Sequence, residues 1–567
     1  MPQRLRASTG SFSPRHDSPP ALSIPPLNNR DHPEPSELQP PESLAGSLRA
    51  WCWLFGLLGL AVLVLGFYAE ENWRGHRAWE LCQRNMAARG EPSQLSGLVP
   101  PPVGEPENFA TTPFLAAIVN FRPGMPLPRD TNALVRLRDF AVRYDAASEA
   151  LKLPTTGRSN SWGLAHTDWV AWYGAFLDAT NPPASRGRKA IVLTNLTPRE
   201  AASRILTCLS ESDAVFDELR AASYRPYSRF NLNYEAENPA TILLPHLAPL
   251  KHLCQVLRLR ASAELAIERP DEAFEDIHLM LALVDACRSE PILISHLVRF
   301  SEFQMALQPI AEGLAARQWS EAHLKKLQDR LGSFDFLADG RRALQSEGVW
   351  LGAGMIDYVR RSHGRLDAIA DTSGGAPEGV DLLPLLLRLA PTGYYDFEKA
   401  NLNRLAQDYL ISSLDLARRQ VSPTATRQGE EKLTTAFAHP RSSLFFHHRL
   451  FASVFLPSLT QVGVRAAYNQ TAADLAVLAC GLERYRLAHG QIPRQLDQLV
   501  PEFLDHLPRD IINGQPLSYR PAPDGAFVLY SVGWNERDDG ARIGLSPKED
   551  NVDPKNGDWI WRGPTPR

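Results

Sequence analysis

Trp51-Cys-Trp-Leu-Phe-Gly-Leu-Leu-Gly-Leu-Ala-Val-Leu-Val-Leu-Gly-Phe-Tyr68 is the stretch from which the rest of the chain is read. It holds no charge and no proline, and with Ala50 and Ala69 it reaches 20 residues. A helix of that length crosses the hydrocarbon core of a bilayer. Trp51 and Trp53 stand at one end, and Phe67, Tyr68 and Trp73 at the other. Spanning helices carry interfacial aromatics at these places. The reading is a single transmembrane helix over residues 50–69, with a polar tail before it and folded protein after it.

Working outward, residues 1–49 set Pro19-Pro20, Pro25-Pro26 and Pro40-Pro41 among Ser, Asn, Asp and Glu. Aliphatics are too sparse there for a core, so a disordered Pro-rich tail is expected. The apolar run starts late, is long, and ends in Phe67-Tyr68-Ala69 rather than a small-x-small cleavage site. An uncleaved signal anchor is therefore expected. Arg49 lies on one side and Arg74 and Arg77 on the other, so flanking charge leaves orientation open. Residues 70–106 read as a juxtamembrane helix followed by a linker. Glu71–Arg89 continues the helix with Trp73 and Trp79 at headgroup level, and Leu98–Gly104 is a proline-stiffened spacer.

A chain of 567 residues exceeds what one core usually organises. Its net charge of −4 supplies no domain-wide basic excess, which argues against a nucleic-acid partner. The six cysteines, Cys52, Cys82, Cys208, Cys254, Cys287 and Cys480, form no C-x-x-C pair and no zinc-finger spacing. They read mainly as small buried apolar residues. A Cys254–Cys287 disulfide across a helical hairpin is the one pairing left open.

Residues 107–364 read as a helical domain. Leu134, Leu137, Ala141 and Tyr144 recur at helical spacing. Thr197-Pro198-Arg199-Glu200 is a helix start with a Thr cap and a reciprocating Glu. Ile205, Leu209, Ser212, Phe216 and Leu219 follow on one face. Ala248–Ile267 and Asp271–Cys287 form a hairpin parted by Glu268-Arg269-Pro270, and Ile292–Arg317 packs on it. The hairpin resembles a tetratricopeptide-type (TPR-like) unit, without a second copy at a fixed period. Residues 365–457 read as a second helical lobe with linkers. His363–Val380 is a glycine-rich hinge, Leu382–Leu389 a short core segment, and Ser422–Arg441 a polar connection. Leu402, Leu405, Tyr409 and Leu416 mark a helix.

No H-E-x-x-H, G-x-S-x-G or Walker loop is present, which argues against a nucleotide partner. His447-His448 reads as an exposed or satisfied pair, because adjacent rings on a helix diverge.

Residues 458–567 carry the most specific pattern. Leu475, Leu478, Leu482 and Tyr485 make one helix face, which His489-Gly490 ends. Leu496, Leu499, Val500, Phe503 and Leu504 form an apolar cluster. Leu517 and Tyr519 alternate as a strand, Phe527–Tyr530 returns, and Trp559-Ile560-Trp561 adds a late strand. Ala479–Gly540 resembles the globular end of the major pseudopilin of type II secretion. The resemblance rests on Leu482, Tyr485, Gly490 and Pro493, then Leu507-Pro508-Arg509-Asp510, Gly514-Gln515-Pro516, Tyr519 and Leu529-Tyr530-Ser531-Val532-Gly533. Pseudopilins carry their membrane helix directly on this head, whereas here the apolar run lies far upstream. The rest of the chain resembles uncharacterised single-pass bacterial membrane proteins that pair a helical region with such an ending.

The resemblance implies calcium in the loop after Ser531, with Ser531, Asn535, Asp538 and Asp539 at the matching positions. Hard oxygen donors on a loop suit that ion. The alternative is a turn whose carboxylates face water. The fold expected is mainly α: one transmembrane helix, a helical bundle or hairpin body in two lobes, and a small α+β pseudopilin-like module. The function expected is non-catalytic protein–protein contact in the cell envelope, with secretion or surface-assembly proteins as partners. The expected location is the inner membrane, with the bulk of the chain outside the cytoplasm. A membrane-tethered hydrolase with a site between the lobes is the alternative, and a filament subunit a third reading.

Overall fold

A computed structural model describes residues 43–119, 142–151, 167–180, 196–363, 383–438, 445–523, 525–547 and 551–564. Most of the tail, the predicted helix positions Leu134, Leu137 and Ala141, and nearly all of the glycine-rich hinge lie outside them. The described chain is mostly helical, with small sheets near the carboxy terminus. It forms two compact units, one ending at Gly66 and one running from Phe67 to Arg567.

The first unit contains the start of helix α1, Ser43–Ala88. Every residue from Trp51 to Phe67 is exposed, on all faces of the helix. Such a helix belongs in a core or in lipid. The predicted spanning and juxtamembrane helices are one helix, because neither proline nor a turn signal separates them.

In the second unit the far half of α1 seats on the body at a glycine pair. A Cβ on Gly75 would stand 2.1 Å from the Gly393 carbonyl oxygen, so only hydrogen fits. The Asn72 amide oxygen accepts from the Gly393 N–H at 2.8 Å and from the Thr392 hydroxyl at 2.9 Å. His448 Nε2 meets Glu71 Oε1 at 2.6 Å, so one of the two adjacent histidines is a partnered side chain. Trp79 does not sit at a headgroup level. It is buried, with the Lys399 ammonium 4.9 Å over its ring. Trp73 is exposed.

The chain then forms α2 (Pro113–Val119), α3 (Val142–Ala150), α4 (Trp169–Thr180), α5 (Pro198–Leu209) and α6 (Asp213–Ala222). Thr197 and Glu200 cap α5 reciprocally, as their spacing predicts. A tight turn at Ser210–Ser212 divides α5 from α6, although Ile205, Leu209, Phe216 and Leu219 all stay buried. The main core is built by α7 (Leu247–Ala266), α8 (Pro270–Ala286) and α9 (Leu293–Ala315), which pack on one another. Glu268 has positive φ between α7 and α8, and Pro270 opens the first turn of α8, where its missing N–H is harmless. Next come α10 (Glu321–Gly332), α11 (Phe336–Glu347), a π-turn at Gly348–Ala353 and α12 (Gly354–Arg361).

The following region corrects three expectations. Only Leu387 of α13 (Leu383–Leu389) is buried, while Leu385 and Leu389 are exposed, so this segment is only partly core. After α14 (Thr392–Tyr409), Leu416 lies beyond the helix in a short hairpin of β1 (Leu414–Asp415) and β2 (Gln420–Val421). The expected polar connection is largely a helix, α15 (Pro423–Phe437), capped by Ser422 and held by Thr426, Gly429 and Leu433.

The last helices are α16 (Leu450–Leu459) and α17 (Gln461–His489). The α17 helix packs against α9, α10 and α11 as the spine of the body. Its small residues, among them Ala466, Ala473, Ala476 and Ala479, permit close approach, and Leu475, Leu478 and Leu482 are buried. Each such leucine contributes roughly 1.5–3 kcal/mol. Gly490, at φ 76°, ends the helix by donating its N–H to Arg486 O at 2.8 Å. A three-stranded antiparallel sheet follows in the order β3 (Ser518–Pro521), β4 (Phe527–Ser531), β7 (Trp559–Arg562). Tyr519 pairs with Leu529, and Leu529 with Trp561, so the strands read from the sequence share one register. A second pair joins β5 (Ile543–Leu545) and β6 (Val552–Gly557).

Candidate functional site

The four residues matched to a calcium loop occupy two environments. Ser531, at the end of β4, is buried and donates its hydroxyl to Asp510 Oδ1 at 2.9 Å. The other Asp510 oxygen accepts from Val532 N at 3.1 Å. Burial raises the Asp510 carboxyl above the usual aspartate range, against these hydrogen bonds. Asn535, Asp538 and Asp539 lie on the exposed loop beyond. Asn535 Nδ2 donates to Asp539 Oδ2 at 2.7 Å, and Asp538 Oδ1 accepts from Gly540 N at 2.9 Å. The loop is pinned from beneath by Asp558, which accepts the N–H groups of Asp539, Ala541 and Arg542 at 3.1, 2.7 and 3.2 Å. The structure thus joins Asn535 to Asp539 and turns Ser531 toward Asp510.

A second polar cluster lies in the helical core, where the sequence carries no local motif. His246 is the residue before α7, Cys287 closes α8, and Glu290 sits in the link to α9. All three are buried, and one ligating atom from each lies within 4.8 Å of the others. His246 Nε2 and Glu290 Oε1 are 2.8 Å apart. This is an ion-pair contact, and neither atom takes part in a hydrogen bond. Glu290 Oε2 accepts from the Ser295 hydroxyl at 2.5 Å. Phe230 stacks on the His246 ring at 4.2 Å.

The first turns of α9 complete the surroundings. His296 Nε2 lies 3.0 Å from the Glu290 carbonyl, and its Nδ1 3.3 Å from Arg299 Nη1. A neutral ring with its proton on Nε2 satisfies both contacts. Burial, helped by Arg299, lowers the His296 pKa to about 3. Arg299, itself fully buried, donates to Val284 O at 2.7 Å, Asp339 Oδ2 at 3.0 Å and Asp285 Oδ1 at 3.3 Å. These bonds tie α8, α9 and α11 together.

Glu302, one turn further along α9, is buried with both oxygens unpartnered. Burial pushes its carboxyl up to about 8. Burial also raises the Cys287 thiol, with Glu290 and Glu302 adding to the effect. Cys254 and Cys287 are both free thiols. The donor set of imidazole, thiol and carboxyl could hold a metal, but it offers no open face to a substrate in this structure. Separately, a groove of about 480 Å³ runs between α15 and the α16–α17 junction. Leu433, Phe437, Ala438 and Pro457 line it, with Glu430, Thr434, Thr460 and Gln461.

Sequence reading missed the core cluster because His246 and Cys287 lie at the ends of two different helices. Only Cys287 and Glu290 are near neighbours in the chain, and that spacing is common in any helix–turn junction. No protein-family model, no curated protein and no solved structure matches this chain.

Proposed function

We propose that this chain is a single-pass membrane protein whose helical body acts by binding other proteins of the cell envelope, secretion or surface-assembly proteins foremost. The observation that carries the reading is the exposure of Trp51–Phe67 on every side of a continuous helix, at a mean hydropathy of 2.2 over its most apolar window. Such a surface is stable in lipid and a liability in water. The location proposed is the inner membrane, with the tail inside and the body outside. The pseudopilin-like pattern of the carboxy-terminal segment supports that side, since such heads are exported. The groove beside α15 supports a binding role over a hydrolytic one. It is lined mainly by aliphatic and aromatic carbon and gathers no set of histidines and carboxylates.

The test is made in intact cells. Alkaline carbonate should leave the full chain in the membrane fraction, and deletion of residues 50–69 should release it. Photo-crosslinkers at Thr434 and Gln461 should capture envelope proteins, identified by mass. Release of the full chain by carbonate removes the anchor from the proposal, and adducts only to cytoplasmic proteins reverse its orientation.

A further inference from the structure

We infer that His246, Cys287 and Glu290 form a zinc-class metal site that fastens the ends of α7 and α8 to the start of α9. This goes beyond the envelope-binding reading and does not depend on it. The donor set is the first ground. One imidazole, one sulfur and one carboxylate are the ligand types of Zn²⁺, whereas calcium and magnesium take oxygen alone.

The second ground is the relation between His246 and Glu290. Their facing atoms make an ion-pair contact at 2.8 Å, yet no hydrogen bond satisfies either atom. Two ligands of one ion look like this, because each lone pair points to a shared third position rather than to its neighbour. Buried polar groups are otherwise almost always hydrogen-bonded, so the unbonded His246 nitrogens and Glu290 Oε1 call for an ion or an ordered water, although Glu290 also bonds Ser295 and Cys287.

The third ground is independent of those three residues. Glu302 is fully buried with both carboxyl oxygens unpartnered, and it is close enough to act electrostatically on Cys287 and on Glu290. The Tyr234 hydroxyl is a further buried orphan, and it too is influenced by Glu290 and Cys287. An ion would gather the unbonded His246 and Glu290 atoms with Cys287 into one coordination shell, which a water would complete. The site's place in the fold agrees with a structural role. Its ligands come from a residue before one helix, the cap of the next and the following link, so one ion would fix three chain segments.

The full chain, purified in detergent and stripped with a chelator, should be titrated with Co²⁺ and then Zn²⁺. The expected result is one equivalent of Co²⁺ per chain, with a sulfur-to-cobalt charge-transfer band that zinc abolishes. Binding should release protons, since the thiol must ionise, and should raise the melting temperature. His246→Gln and Glu290→Gln should weaken binding by at least about tenfold, and Cys287→Ser should remove the charge-transfer band. Cys254→Ser, which alters a neighbouring buried thiol outside the ligand set, should bind as the parent does and serves as the folded comparison. Absence of stoichiometric metal in the folded parent overturns the proposal. So does a charge-transfer band that survives Cys287→Ser or disappears in folded Cys254→Ser.

Discussion

Among the described residues two stretches are long and apolar enough to cross a membrane, and they have opposite fates. The window in α1 has mean hydropathy 2.2 and none of it buried, while the one in α16–α17 has mean hydropathy 1.3 and 56% of it buried. The difference lies in the polar residues each carries. In α17, Asn469 accepts from Gln304 at 3.1 Å, Gln470 accepts from Phe336 N at 2.9 Å, and Arg484 reaches Glu321 at 2.7 Å. Each of those groups finds a partner on another element of the body. Between Leu54 and Phe67 the α1 helix has no side chain that could make such a bond, and the indole N–H groups of Trp51 and Trp53 stand at its amino end. Hydropathy says only that a helix should leave water. The polar residues it brings along indicate whether it goes into protein or into lipid.

Matched charges in the two helices give the sharpest way to break this comparison. Leu478→Asp, in the buried face of α17, should cost more than about 4 kcal/mol and abolish the cooperative melt. The counterpart Leu58→Lys in α1 should leave the melting temperature of the body unchanged. It should instead weaken membrane insertion by about 2.5–3.5 kcal/mol, read as the fraction resistant to carbonate. If Leu58→Lys unfolds the body, the two helices are not different in kind.

A smaller effect is expected where α1 meets protein. Gly75→Val forces a side chain into the Gly393 backbone and should cost roughly 1–3 kcal/mol. Hydrogen exchange should speed up at the Gly393 amide, which bonds Asn72, while amides in α17 stay protected.

A further effect, read along a pH series rather than in a single melt, concerns Asp474 in α17, whose carboxyl is raised to about 7 by burial. The folded state therefore holds this proton at pH values where the unfolded state has lost it. Its contribution to stability is present at low pH and declines as pH rises from about 4 toward 7. Asp474→Asn should flatten that part of the urea-midpoint profile and leave the region above it nearly level. The apolar part of α1 has no carboxylate to titrate, so insertion should show no matching slope.

How much of this was legible follows the density of local signal. The boundaries of α7, α8 and α9 were readable because leucines and alanines repeat at helical spacing and Pro270 marks a start. The capping box at Thr197 and the strands that hold Tyr519, Leu529 and Trp561 were readable from capping spacing and from alternation, while the register that pairs Leu529 with Trp561 was not. The α15 helix was not, because its buried face consists of Pro423, Thr426, Gly429 and Leu433, which hardly registers as a stripe. The opposite error occurred at Leu383–Leu389, where uniform apolarity hides the fact that Leu385 and Leu389 face outward. The core cluster was invisible for a geometric reason. His246 meets Cys287 and Glu290 only because α7 and α8 run back alongside each other, and no pattern along the chain records that return.

The glycine seat of α1 has a consequence for how the protein is made. Asn72 and Gly393 stand 321 positions apart along the chain, so the ribosome completes one long before the other. At roughly 5–20 residues per second that interval is on the order of tens of seconds. Throughout it Trp79, sheltered in the finished molecule beneath the Lys399 ammonium, lacks that cover. The nascent chain is thus a natural client for chaperones during that interval, and premature termination before Gly393 leaves a product without the Lys399 cover over that side chain.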